Sequence, residues 1–356
     1  MTRRLFYTDH YSVPLPPEHR FPIQKYRMLR ELLERDGFFA LEPAPLAGLE
    51  TIALAHDPAY VDAFVRGRLS AAAVRRIGFP WSEGLVTRTL ASVGSTLAAT
   101  REALATGWGG TMAGGTHHAF AGEGSGFCVF NDIAVAARWV QTSQEVAELT
   151  LGRADEGACS YVGRGDSQEG GSGRRVTRVA VIDLDVHDGN GTAAIFSPTG
   201  QHRHESLRYG VACGSMTPSA EGVFTLSMHQ QNNYPFHKPP SSLDVPLADG
   251  TGDVQYLEAL ESALEAAFAH FRPQLIAYIA GADPYMEDKL GGLALTIDGL
   301  KQRDRTVFRA AQTVGAPAFS VYAGGYAMRV EDTVTIHANT VLAAAEVFSF
   351  HGATSC

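Results

Sequence analysis

Clustered basic residues, long apolar runs and paired cysteines are all scarce or missing in this chain. Lys and Arg total 29 against 38 Asp and Glu, for a formal net charge of −9. A general binder of the phosphate backbone needs cationic clusters that displace counterions, so direct nucleic-acid binding is not expected. The four cysteines, Cys128, Cys159, Cys213 and Cys356, show no CxxC spacing. That argues against a structural zinc framework and against a disulfide scaffold, and it favours a reducing compartment. No apolar run approaches about 18 residues, and "MTRRLFYTDHYSVPLP" reaches Asp9 and His10 before any stretch of signal-peptide length. The expectation is a chain that is not secreted and spans no membrane, cytoplasmic, or nuclear in a eukaryotic source.

What is present is enough apolar material, 45% of 356 residues, for one large α/β domain or two small ones. Four short, continuously apolar runs are bounded by glycine or turn residues: "RVAVIDLD" (178–185), "VFTLSMH" (223–229), "QLIAYIAGAD" (274–283) and "PAFSVYAGGY" (317–326). Such runs predict parallel strands covered on both faces. Helical periodicity appears in "VTRTLASVGSTLAATREALATG" and "NDIAVAARWVQ". It recurs in "DVQYLEALESALEAAFAHF", where Leu257, Leu260, Leu264, Phe268 and Phe271 form one stripe. A further helix has Thr296 or Asp298 as its cap and Gly315 as its stop. Residues 143–177 and 198–221 are rich in Gly, Ser and charge and are read as loop inserts.

In a parallel α/β sheet, ligands bind beyond the C-terminal strand ends. Here those ends carry Asp183, Asp185 and His187; Ser227 and His229; Asp283; and Gly324-Gly325-Tyr326. On an extended segment Asp185 and His187 point the same way, so both can meet an ion that Asp283 approaches from another strand. Two carboxylates and an imidazole, with a position left for water, suit a catalytic divalent metal such as zinc. One strand-end Asp or His is most simply a helix cap; three strand ends so equipped point to a site. His117 and His118 sit side by side on a glycine-flanked loop, "GGTHHAFAGEGSGFCVFND" (114–132), and are natural general acid–base candidates. Two histidines on a surface loop are the plain alternative.

"GGTHHA", "GFCVFNDIAVA", "VIDLDVHDGNGT", "AGADPY" and "AGGYA" resemble, in order and spacing, the histone deacetylase family on the arginase/deacetylase fold. "IGFPWSEGLVTRTLASVGST" (77–96) further resembles the class IV branch related to human histone deacetylase 11 and its bacterial relatives. The resemblance covers most of residues 1–345 and implies one domain, 1–356, with an eight-stranded parallel sheet flanked by helices. It implies one zinc ion on Asp185, His187 and Asp283, His118 as general base and acid, and His117 as electrostatic partner oriented by Asp183. Tyr326 would donate to the oxyanion. A potassium ion would sit at Asp183, Asp185, His187, Ser227 and Met228. Phe127 and Gly126 match one wall of an acyl-lysine tunnel, Tyr234 the other, and Gly325 belongs to the turn that carries Tyr326. Where class I members place a second acidic residue behind the general base, this chain has Asn190, which cannot stabilise an imidazolium by charge. Asp188 stands where many relatives have His or Gln and receives no role.

The implied function is metal-dependent hydrolysis of amide C–N bonds, releasing acetyl or longer acyl groups from lysine side chains. Acetyl-polyamines and other small acylated amines are alternative substrates. A silent acyl-lysine binding module on the same fold is a further alternative. A magnesium phosphotransferase, suggested by "DLD" ending an apolar strand, is disfavoured: His187 stands where that pattern wants Thr or Val, and His117, His118 and Tyr326 have no use there. The sequence names no protein partner.

Overall fold

The computed structural model describes residues 3–11, 13–143, 146, 175–197 and 222–349. The insert at 198–221 and nearly all of that at 143–177 lie outside them. The four apolar runs form β4 (Val179–Asp183), β5 (Val223–Gln230), β7 (Leu275–Ala280) and β8 (Ala318–Tyr322). Four strands without a strong sequence signal complete the sheet: β1 (Arg3–Tyr7), β2 (Phe39–Pro43), β3 (Trp108–Thr111) and β6 (Leu243–Leu247). The result is one eight-stranded sheet in the order β2-β1-β3-β8-β7-β4-β5-β6, with every pair parallel.

Strand alternation explains why the central runs are apolar throughout. In β4, Ala180 and Ile182 enter one core cluster while Val179 and Val181 enter the other. The first core packs against α1 (Gln24–Asp36), α8 (Asp253–His270), α9 (Ile297–Val314) and α10 (Val330–Val347). The second packs against α5 (Glu83–Thr106) and α6 (Asp132–Thr142). Short helices α2 (Leu49–Ile52), α3 (Pro58–Val65), α4 (Ala71–Ile77) and α7 (Asn190–Phe196) fill the connections.

The helix boundaries follow their caps. Thr296, not Asp298, caps α9 by accepting from Gly299 N–H at 2.9 Å, and Gly315 stops it in the left-handed region at φ 68°. The expected stripe on α8 is displaced. Tyr256, Leu260, Ala263, Leu264 and Ala267 are its buried residues, with Leu257 only partly covered, because a helix repeat of 3.6 residues lets Tyr256 fill the inner face. Among the described residues, no helix is long and apolar enough to cross a membrane.

Candidate active site

Five neighbouring strands, β3, β8, β7, β4 and β5, end on one edge of the sheet, and the loops leaving them carry the expected site residues. After β3 the chain turns through Gly114 and Gly115, at φ 93° and 68°, into His117 and His118. The turn is held from beneath by buried Asp132, which accepts from Gly115 N–H at 3.1 Å, Thr116 N–H at 2.8 Å and the Thr96 hydroxyl at 2.6 Å. A Cβ on Gly114 would run into that carboxylate, so glycine is required there by space as well as by backbone.

The two imidazoles lie 4.1 Å apart between ring centroids, and both are buried. Their Nδ1–H groups donate to different acceptors: His117 to Asp183 Oδ2 at 2.7 Å, and His118 to Asn190 Oδ1 at 2.8 Å. This difference separates their basicities. Burial disfavours the charged form of His117, but the Asp183 and Asp185 carboxylates outweigh it and raise the group to about 9. His118 is held well below the usual histidine range by burial and by the charges of His117 and His187, with only an amide behind it.

Asp185 and His187 converge through a bend at 185–187, not through an extended segment as their spacing suggested. The backbone turns because Asp185 Oδ1 accepts from His187 N–H at 3.0 Å. The second Asp185 oxygen accepts from Gly324 N–H at 2.7 Å, and Asp283 Oδ1 accepts from Val186 N–H at 2.9 Å. These bonds aim the remaining donor atoms at one point. His187 Nδ1 lies 3.0 Å from Asp185 Oδ1 and 3.2 Å from Asp283 Oδ2. Among the described residues, Asp185, His187 and Asp283 form a group able to hold a metal ion.

The donor set fits a divalent cation on two observations. Asp283 Oδ2 is buried with no well-formed hydrogen bond and faces only His187 Nδ1 across 3.2 Å, a gap between two donor atoms that a cation can bridge. Gly324 approaches so closely that any Cβ there would occupy the space beside the Asp283 and Asp185 carboxylates. Without an ion, His187 carries the compensating charge: burial opposes it, but the two carboxylates raise it to about 10. Beneath the group lies fully buried Arg303 of α9, donating to the carbonyls of Gly281 at 2.6 Å and Leu184 at 3.3 Å.

A cavity of about 420 Å³ opens over these residues and is lined by His117, His118, Asp185, His187, Asp283 and Tyr326 among others. Phe127 and Tyr234 line it too, as does Gly126. The Tyr234 ring stands 5.0 Å from that of His118, and its hydroxyl pairs with the Ser125 hydroxyl at 2.6 Å. Phe127 has a left-handed backbone, φ 65°, fixed by its N–H bond to Ile77 O at 2.7 Å, and its ring packs 5.2 Å from Phe79. Gly325, expected beside the substrate, does not line the cavity. It faces Thr333 and Ala282 at φ 142°, and Gly324 takes the lining position. Burial pushes the Tyr326 phenol far up, so it remains a proton donor, and its N–H is held by Asp288 Oδ2 at 2.5 Å.

Sequence reasoning passed over Phe21, Phe79 and Lys25 in the cavity wall, and Asp132, Asp288 and Arg303 beneath the site. Phe21 and Lys25 lie in or next to an irregular stretch with no period. The Asn131-Asp132 pair was visible only as the end of a motif. For the expected potassium position, Asp183 and Ser227 are register partners on β4 and β5, Asp183 Oδ1 accepts from Asp185 N–H at 3.2 Å, and the Met228 side chain lies in the core.

Comparison with known proteins bears on the family and the fold. The histone deacetylase domain matches residues 19–150 and 170–342. An uncharacterized protein of Picosynechococcus sp. is 38% identical over 347 residues, covering 96% of this chain and 98% of the relative. Histone deacetylase 2 of Arabidopsis thaliana is 28% identical over 338 residues, covering 90% of this chain and 74% of the relative. Among solved structures, an HDAC homolog complexed with SAHA superposes with a TM-score of 0.69 at 21% identity, covering 98% of this chain and 84% of that one. The eight parallel strands, the strand-end site and a family match spanning most of the sequence lead to one conclusion: the chain belongs to the histone deacetylase family.

Proposed function

We propose that this chain hydrolyses the amide of acylated amines, with acetyl- or longer acyl-lysine in proteins and peptides as the leading substrate class and zinc as the metal. The observation that carries the reading is a shared wall: the two histidines, the Asp185–His187–Asp283 group and Tyr326 all face one cavity. Zinc bound there would polarise the acyl carbonyl and lower the pKa of a water toward neutrality. The chain's own residues move the protons.

His118, kept neutral by burial, takes the proton of the attacking water and returns it to the leaving amine. Asn190 fixes its tautomer without adding charge. His117, held cationic by Asp183 and Asp185, orients the water and supplies positive potential. The Tyr326 hydroxyl donates to the developing oxyanion. Phe127 and Tyr234 flank the acyl-lysine stem, and Gly126 leaves room beside His118, whose ring a Cβ there would meet at 2.8 Å.

We assign the potassium ion to Asp183, Asp185, His187, Ser227 and Met228, and read 1–356 as one deacetylase-like domain with inserts at 143–177 and 198–221. The class IV branch is supported by the motif at residues 77–96, from which Phe79, Leu85 and Val93 bring apolar surface to the cavity beside polar Arg88, Thr89 and Ser92. That surface suits an acyl chain longer than acetyl.

The test is hydrolysis of matched acetyl-, trifluoroacetyl- and myristoyl-lysine peptides by the zinc-loaded protein, beside Tyr326→Phe and a chelated control. Turnover that needs both metal and Tyr326 is expected, with Tyr326→Phe about 100-fold slower, the usual cost of an oxyanion donor. Turnover of acetyl-polyamines alone would replace lysine as the substrate. A metal-loaded chain inert on every acylated amine would refute the hydrolytic reading in favour of a silent binding module.

A further inference from the structure

Asp188 follows the ligand His187 in sequence but turns into a different part of the molecule. Its carboxylate is fully buried, and neither oxygen has a hydrogen-bond partner. Facing it are two residues from the outer strands. His229 is next to last in β5, with Nδ1 3.4 Å from Asp188 Oδ2, and Asp244 lies on β6. The sheet register sets this grouping: Ser227 pairs with Asp244, and His229, two residues beyond Ser227, projects from the same face.

We propose that Asp188, His229 and Asp244 form a second divalent-cation site, separate from the Asp185–His187–Asp283 group and outside the cavity. One ligand atom from each residue lies within 4.8 Å of the others. Donors about 2.0–2.2 Å from a four-coordinate, zinc-sized ion lie about 3.3–3.6 Å apart, and His229 Nδ1 and Asp188 Oδ2, 3.4 Å apart, already have that spacing. The donors repeat those of the first group, two carboxylates and an imidazole, a mixture suited to zinc, cobalt or manganese more than to calcium.

The surroundings supply little else to neutralise Asp188. Two cations act on Asp188, and both are committed elsewhere: Lys238 Nζ to the carbonyls of Asn233 at 2.8 Å and Pro235 at 2.5 Å, and His117 to Asp183 at 2.7 Å. Ser241 N–H orients Asp244 through Oδ2 at 3.0 Å, while the 2.9 Å bond between Ser227 Oγ and His229 Nδ1 is one that an ion on Nδ1 would replace. A buried carboxylate with no donor is rare in a native fold, and a cation shared with Asp244 and His229 resolves it. The site differs from the potassium position, which uses Asp183, Ser227 and backbone near Met228. It does not depend on what the cavity hydrolyses.

The test is metal stoichiometry on untagged, full-length protein, stripped with chelator, refilled with cobalt(II) in potassium-containing buffer and desalted. Mass spectrometry under native conditions should find two ions per chain in the wild type. Asp185→Asn, Asp188→Asn and Asp244→Asn should each retain one, and the Asp185→Asn/Asp188→Asn pair none. Cobalt absorption bands should split into two sets, each removed by its own variants. A wild type that holds one ion overturns the proposal and makes Asp188 a neutral buried acid. Two ions retained in Asp244→Asn also overturn it, by placing the second elsewhere. If Asp188→Asn does not fold, the half-buried Asp244→Asn and the wild-type count still decide.

Discussion

Arg303→Met should weaken the fold and the metal group together. Arg303 is fully buried on α9, with Nε donating to Asp304 Oδ1 at 2.9 Å and Nη1 to the Gly281 and Leu184 carbonyls. Methionine keeps much of the side-chain volume but removes the charge and every donor. Asp304 would then rest on the Tyr278 hydroxyl at 2.5 Å and the Thr340 hydroxyl at 2.7 Å, two neutral donors for a buried carboxylate. Breaking one side of a buried ion pair costs about 3–5 kcal/mol. The loss here should reach the upper half of that range, because two strand-end carbonyls also lose a partner. Urea unfolding of the wild type, Arg303→Met, Asp304→Asn and the double variant measures it. The double variant should recover at least about 1.5 kcal/mol relative to additivity, since it no longer buries a lone charge. Leu184 precedes Asp185 directly and Gly281 lies two residues before Asp283, so metal affinity should fall as well. A single-variant loss under about 1 kcal/mol, or an additive cycle, would refute the reasoning.

Three further outcomes follow from named contacts. Gly324→Ala should empty the Asp185–His187–Asp283 group while leaving the far-ultraviolet circular dichroism unchanged, because its Cβ displaces the Asp283 and Asp185 carboxylates; an ion retained in that group would contradict this. Asn190→Asp should raise the basicity of His118 and move the acid limb of the kcat/KM profile to higher pH, whereas an unmoved limb would remove His118 from the role of base. His56 is buried and neutral, its Nε2 accepting from Asn131 N–H at 2.8 Å, and burial lowers it to about 4 against an ordinary 6.5. Its folded pKa is depressed, so its contribution is complete above about pH 6.5 and is lost as pH falls toward 4, about 3 kcal/mol in all. Denaturant midpoints of His56→Asn and wild type should therefore converge as the pH drops from 7 to 4.5.

The central sheet was legible because β4, β5, β7 and β8 are buried on both faces and therefore largely apolar, with polar residues such as Asp183, Ser227 and His229 gathered toward their C-terminal ends. The flanking strands were not. Trp108-Gly-Gly-Thr111 in β3 is a strand by virtue of its backbone pairing with β1 and β8 and offers almost no side-chain pattern. The chemistry-bearing residues were legible by type, since Asp, His and Tyr are conspicuous at the ends of apolar runs. Their geometry was less so: Asp185 and His187 meet through a side-chain-to-backbone turn, and Gly324, not Gly325, abuts the carboxylates. Arg303 and Asp132 escaped notice because each acts on backbone atoms distant in sequence, a relation no local spacing encodes.

The distribution of the site over five adjacent strand ends has a consequence for how the protein is made. His118, His187, Asp283 and Tyr326 come together only once β3, β8, β7 and β4 have all docked in register. No short segment of the nascent chain can assemble the three ligands, because Asp283 reaches the Asp185–His187 bend only across the β4–β7 pairing. On the proposed function, metal capture would therefore be a late event that locks a finished sheet, unlike a zinc finger, in which the ion organises the chain around itself. A chain that works in this way would accumulate folded and empty in a metal-starved cell, and supply of the ion alone would complete it.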